Sequence, residues 1–185
     1  MLLDYLNPKR CALMVVDIQD RLMPVINQPE QVVKNSVLLI KTAQALDISI
    51  VSTTQYAARI GDLLPEITKE LGDLTPMDKM EFSCFANQAI KDGIKALGSE
   101  VDTMILCGVE THICIYQTAL GGLMEGYRMW VPSDAVSSRN RNNYESGLTR
   151  IKDVGGVVAN TELIIYELLH KAGTPQFKGL LPFLK

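Results

Sequence analysis

The run Cys11-Ala-Leu-Met-Val-Val16 constrains the fold more than any other stretch of this chain. Its apolar residues follow one another without alternation, which suits a strand covered on both faces, and the run ends at Asp17. A second run, Met104 to Cys107, has the same character. Around these two runs the spacing is helical. From about Gln28 to Leu46 the apolar positions Val32, Val33, Val37, Leu38, Ile40 and Leu46 share a helical period opened by Pro29, and Ile48 to Ser52 then reads as a strand. A turn-rich stretch through Gly61, Pro65, Gly72 and Pro76 precedes an amphipathic helix from Ala86 to Leu97, with Gly98 as its C-cap. A strand at 103–107 follows, then a helix from Thr111 to Met124 with Thr111 as N-cap and Gly108 breaking the strand before it. Arg128 to Val131 reads as a strand, 142–153 as a helix, Gly156 to Ala159 as a strand and Thr161 to His170 as a last helix.

Strand and helix therefore alternate. Parallel neighbours need crossover connections, so the expected fold is a single-domain three-layer α/β/α sandwich over residues 1–185, with a mainly parallel, Rossmann-like sheet of about six strands. In such a sheet ligands gather at the carboxyl ends of the strands. Asp17, the segment Thr53 to Tyr56 and the segment Gly108 to Cys114 all fall just past strand ends, so three polar clusters are expected on one edge.

Composition narrows the function classes. With 185 residues, 47% of them hydrophobic, the chain can bury about 70% of its unfolded surface without disulfide or metal staples. A net charge of −3 and no basic cluster longer than Lys9-Arg10 argue against a nucleic-acid surface. No apolar run approaches the ~18 residues of a membrane span, so no membrane partner is expected. The segment Met1 to Arg10 carries an acid among its apolar residues and lacks the pattern of a signal peptide. Cys11, Cys84, Cys107 and Cys114 form no CxxC pair and mostly sit in apolar patterns, as reduced thiols of a cytoplasmic protein do.

The chemistry-bearing residues each suit two readings. Cys114, in the first turn of the helix expected at Thr111, is either a small buried apolar thiol or a nucleophile whose thiolate is favoured by the helix dipole and free backbone N–H groups. Asp17 is either a turn cap or a carboxylate at a pocket mouth, able to act as base or acid. Lys79 is either a solvated surface lysine or an ammonium turned into the same cleft. His112 lies two residues from Cys114, where helical side chains diverge, and His170 has no partner in sequence, so neither suits a Cys-His dyad. Two histidines without a ligand spacing leave no metal site to expect, and the sparse glycines at Gly108 and Gly121-Gly122 build no phosphate loop and imply no cofactor.

Taken together and in order, Asp17, Lys79 and Cys107-Gly-Val-Glu-Thr-His-Ile-Cys-Ile115 resemble the isochorismatase-like family of cysteine hydrolases. Val16-Asp17-Ile18-Gln19, Thr54-Gln55-Tyr56, Lys79 with Phe82, Pro132 to Arg139 and Pro175 to Lys178 extend the resemblance over nearly the whole chain, toward the branch of isochorismatase-domain proteins and YcaC-related hydrolases. The resemblance implies a triad in which Asp17 takes the thiol proton, Lys79 balances charge and orients the leaving group, and Cys114 attacks a carbonyl to give an acyl-enzyme. It also implies an oxyanion hole from the backbone N–H groups of Glu110 and Cys114, next to a cis peptide between Val109 and Glu110. Substrate contacts are then expected from Gln19, Gln55, Tyr56, Phe82 and Thr111, and a homo-oligomer is expected.

Two departures narrow the expected activity. Relatives that hydrolyse nicotinamide carry an Asp-x-His metal site where this chain has Thr53-Thr-Gln-Tyr56, and relatives that cleave the vinyl ether of isochorismate lack the cysteine. Hydrolysis of the C–N bond of a small-molecule amide is the leading expectation. Ether hydrolysis with Asp17 as acid, and a non-catalytic binding protein that keeps the fold, are the alternatives.

Overall fold

The computed structural model describes residues 4–184, so residues 1–3 of the N-terminal segment read above lie outside it. Strand β1, Cys11–Val16, is buried along its whole length. Its side chains serve two cores. Cys11, Leu13 and Val15 pack with helices α1 (Pro29–Ala45), α3 (Pro65–Leu71), α7 (Thr161–Leu169) and α8 (Pro175–Leu180), whereas Ala12, Met14 and Val16 pack with α4 (Gln88–Lys95), α5 (Tyr116–Met124) and α6 (Arg141–Asp153). The unbroken apolar run thus reflects the two-faced burial of a central parallel strand.

Seven strands among the described residues form one parallel sheet in the order β3-β2-β1-β4-β5-β7, with β6 beside β4. Their ranges are β2 Ser49–Gln55, β3 Met77–Lys79, β4 Thr103–Val109, β5 Arg128–Pro132, β6 Val136–Ser137 and β7 Val157–Ala159. Two of these, β3 and β6, are absent from the sequence-based expectation of about six strands, because two- or three-residue strands carry no period of their own and are defined by pairing alone. The turn-rich stretch after β2 holds the short helix α2, Ala57–Ile60, as well as α3, which Pro65 opens. No helix among the described residues is long and apolar enough to cross a membrane.

Two corrections concern the segment around Cys114. Gly108 does not break the strand. It lies inside β4 opposite Val16 at φ 119°, where an added Cβ would stand 1.9 Å from the Val16 carbonyl oxygen, so the close approach of β1 and β4 excludes a side chain there. Nor does Thr111 cap a helix: its hydroxyl is buried without a protein hydrogen-bond partner, and residues Thr111–Ile115 form a π-helical turn before α5 begins. Both Ile113 and Ile115 donate their N–H to the Glu110 carbonyl, the latter closing the wider turn.

Candidate active site

The register of the sheet brings the strand ends level. Val16 pairs with Thr53 on one side and Gly108 on the other, and Gln55 pairs with Lys79. Just beyond β1, Asp17 adopts a left-handed backbone at φ 56° while its N–H still donates to the Thr53 carbonyl at 3.2 Å. Its carboxylate is held by two donors. The Thr53 hydroxyl donates to Oδ1 at 2.8 Å, and the Lys79 ammonium donates to Oδ2 at 2.6 Å. Lys79 also donates to Gln55 Oε1 at 2.7 Å, and that oxygen lies 4.0 Å from Cys114 Sγ.

Lys79 is thus no surface lysine: the side chains of Lys79 and Asp17 are both 0% exposed. A charge that deep is tolerated only with a partner and with its donors satisfied. Burial by itself would lower the Lys79 pKa, but the carboxylate of Asp17 outweighs it, and the group stays an ammonium above its ordinary value. Cys114 behaves differently from the helix-dipole expectation. Burial, reinforced by the Asp17 charge, pushes its thiol well up despite the opposing pull of Lys79, so the resting group is a thiol and not a thiolate.

The remaining residues divide. Gln19 is fully buried and its amide is committed to main chain, accepting from the Gln55 N–H at 2.7 Å and donating to the Gln55 and Gly61 carbonyls at 3.2 and 2.7 Å. Gln55 Nε2 donates to the Met80 carbonyl at 2.9 Å, which fixes Oε1 toward the ammonium and the thiol. Tyr56 and Phe82 are exposed, with Met80 between them in the chain, on the ends of β2 and β3. The peptide bond between Val109 and Glu110 is cis. The Glu110 carboxylate accepts from the Arg139 N–H at 2.9 Å and from Nε, tying the β6–α6 connection to the start of the π turn. His112 Nδ1 lies 3.0 Å from Ser138 Oγ. No cluster of three or more His, Cys, Asp or Glu among the described residues is placed to share a metal ion.

Two site residues were not singled out by the sequence. Thr53 is one, and Cys84 is the other: it is fully buried, its N–H donates to the Thr118 hydroxyl at 3.0 Å, and burial pushes its thiol pKa up to about 11 despite the opposing charge of Lys79. The readable signal for Thr53 was its spacing of two from Gln55, which puts both polar side chains on one face of a strand end.

Comparison with known proteins settles the family. The isochorismatase domain model matches residues 11–162. This chain belongs to the isochorismatase family. The secreted isochorismatase effector Isc1 of Phytophthora sojae is 33% identical over 97% of this chain and 87% of its own length. Among solved structures, the MAR1 ribonuclease of Caenorhabditis elegans is 29% identical with a TM-score of 0.90, covering 98% of this chain and 92% of that one. YcaC from Pseudomonas aeruginosa and YcaC from Escherichia coli share the fold at 21% identity and TM-score 0.91, each covering 99% of this chain and 93% and 92% of their own. The isochorismatase-family chain is accordingly a hydrolase of the α/β class.

Proposed function

We propose that this isochorismatase-family hydrolase cleaves the C–N bond of a small amide through an acyl-enzyme on Cys114, without a metal. The observation that carries the reading is the Lys79 ammonium, buried between the Asp17 carboxylate and the Gln55 oxygen that faces Cys114 Sγ. In this reading Asp17 takes the thiol proton as sulfur attacks the carbonyl carbon, forming the C–S bond. The oxyanion is received by the backbone N–H groups of Glu110 and Cys114, and the proton held by Asp17 passes to the departing nitrogen as the C–N bond breaks. Water then attacks the thioester, giving its proton to Asp17, and the carboxylic acid leaves as the thiol is restored. Lys79 holds Asp17 in place and balances its charge throughout, while the raised thiol pKa makes reaction at Cys114 depend on proton transfer to Asp17.

Substrate contacts are assigned on the same footing. The buried Thr111 hydroxyl has no protein partner and is free for a substrate oxygen or nitrogen; Tyr56 and Phe82 offer an apolar rim; Gln55 faces the reacting centre; and Gln19 acts by fixing Gln55. The description of the P. aeruginosa YcaC structure includes covalent acrylamide, an amide-bearing electrophile, which accords with a reactive group in this fold. A phosphodiester reading, after the ribonuclease among the similar structures, draws no support from an acidic chain whose histidines lie apart from the triad. We further propose a cytoplasmic homo-oligomer: the E. coli YcaC is described as octameric, and all four cysteines here are free and buried.

The test is a screen of primary and secondary amides with mass spectrometry of the protein. The expected result is a thioester on Cys114 during turnover and a loss of turnover of about a thousandfold or more in Cys114→Ala. Unchanged turnover in that variant would overturn the nucleophile, and turnover of a vinyl ether without any protein adduct would favour Asp17 as acid.

A further inference from the structure

The proposed acyl-transfer reading leaves one contact unused. Asp17 has two carboxylate oxygens, and only one of them faces Lys79. The other accepts the Thr53 hydroxyl at 2.8 Å, with both residues at 0% exposure. Thr53 also meets Asp17 through the main chain, its carbonyl accepting the Asp17 N–H at 3.2 Å. The carboxylate therefore sits on a two-point clamp from the end of β2, and the Asp17 backbone at φ 56° gives it no continuing strand pairing to hold its direction.

We propose that Thr53 is a positioning residue that aims the Asp17 carboxylate at the Cys114 thiol. A β-branched threonine has few rotamers in a strand, so its hydroxyl is a fixed donor. Hydrogen bonds to charged acceptors are about twice as strong as neutral ones, so the contact can hold one carboxylate rotamer against its alternatives. Thr53 and Asp17 are both fully buried, so the bond is made away from bulk solvent. Lys79 holds only Oδ2, so the second point that fixes the carboxylate plane is the Thr53 hydroxyl on Oδ1. This inference rests on Asp17 being the base for Cys114.

The test reads Cys114 itself and needs no substrate. Iodoacetamide alkylation is followed at that residue by peptide mass spectrometry between pH 6 and 9 in the full-length protein, for Thr53→Val, Thr53→Ser and Asp17→Asn, and for the Thr53→Val/Asp17→Asn double variant. Thr53→Val keeps the shape and removes the donor; it is expected to slow alkylation about tenfold and change the pH profile. Thr53→Ser is expected to restore the rate to within about twofold. In the Asp17→Asn background, Thr53→Val is expected to have no further effect, because the two changes act on one interaction. Native-like rates in Thr53→Val with slow rates in Asp17→Asn would overturn the role of Thr53 and leave the base assignment standing. Equal slowing by Thr53→Val in both backgrounds would mean a merely structural role. Native or faster rates in Asp17→Asn, the result if Asp17 acts on the thiol only through its charge, would overturn the base assignment, and this inference with it. Should the valine variant not fold, Thr53→Ala carries the same expectation.

Discussion

The two ends of the parallel sheet treat charge in opposite ways. At the carboxyl end Lys79 and Asp17 form an ion pair with neither side chain exposed, while at the amino end Asp4, Arg10, Asp102 and Arg128 form a network with side chains 29–37% exposed. In the exposed network water solvates each partner almost as well as the pair does, so little stability is gained. In the buried pair neither charge has water to fall back on, so each depends on the other and on Thr53 and Gln55. The count of ion pairs therefore says little here, and the costly pair is the one that shares the Gln55 oxygen with the Cys114 thiol.

Breaking the buried pair should have the largest effect. Lys79→Ala strands a buried carboxylate, with an expected loss of about 3–5 kcal/mol of unfolding free energy by urea titration, together with loss of amide turnover. A loss no greater than that of an exposed-network variant would remove the contrast. The next effect concerns buried groups that avoid charge altogether. Burial raises the thiols of Cys11 and Cys107 to about 12, and that of Cys84 to about 11, from the usual 9.0. Their folded pKa values lie above the unfolded ones, so the stability they contribute is complete below pH 9 and is lost as pH rises toward 11–12. At pH 10 each is expected to reduce stability by on the order of 1 kcal/mol, read from urea midpoints across the alkaline range. The smallest effect belongs to the amino end: Asp4→Asn should move Tm by less than about 2 °C, and less still in high salt. Asp102 there, held low by hydrogen bonds from Arg10 and Thr103 in spite of partial burial, contributes stability that is present above about pH 3.8. That contribution disappears as acid titrates the group through its lowered value, and acid titration of Tm in Asp102→Asn would sharpen the point.

How much was legible beforehand differs from element to element. The apolar run of β1 and the helical period of α1 were visible because both are long and their burial leaves a periodic trace. The end of β2 was not. Thr53 and Gln55 are polar, so the strand read as ending at Ser52 with a polar cluster just past it, yet both lie buried inside β2 because their partners are Asp17 and Lys79. Lys79 itself sits in a three-residue strand whose existence depends on pairing with β2, and no local pattern distinguishes it from a surface lysine. Gly108 read as a strand breaker, since the carbonyl that makes glycine necessary belongs to Val16, far away in the chain.

By itself the sequence determined the alternation of elements, the two-sided burial of the central strands and the order of the isochorismatase motifs, all of which are written in local composition and spacing. Only the tertiary structure decided that Lys79 is buried, that Thr53 and Gln55 complete the shell around Asp17, and that the Cys114 thiol rests protonated. These are questions of which charge meets which in the absence of water. Desolvation and pairing act between residues 24 to 62 positions apart, across strand ends that become neighbours only when the sheet assembles.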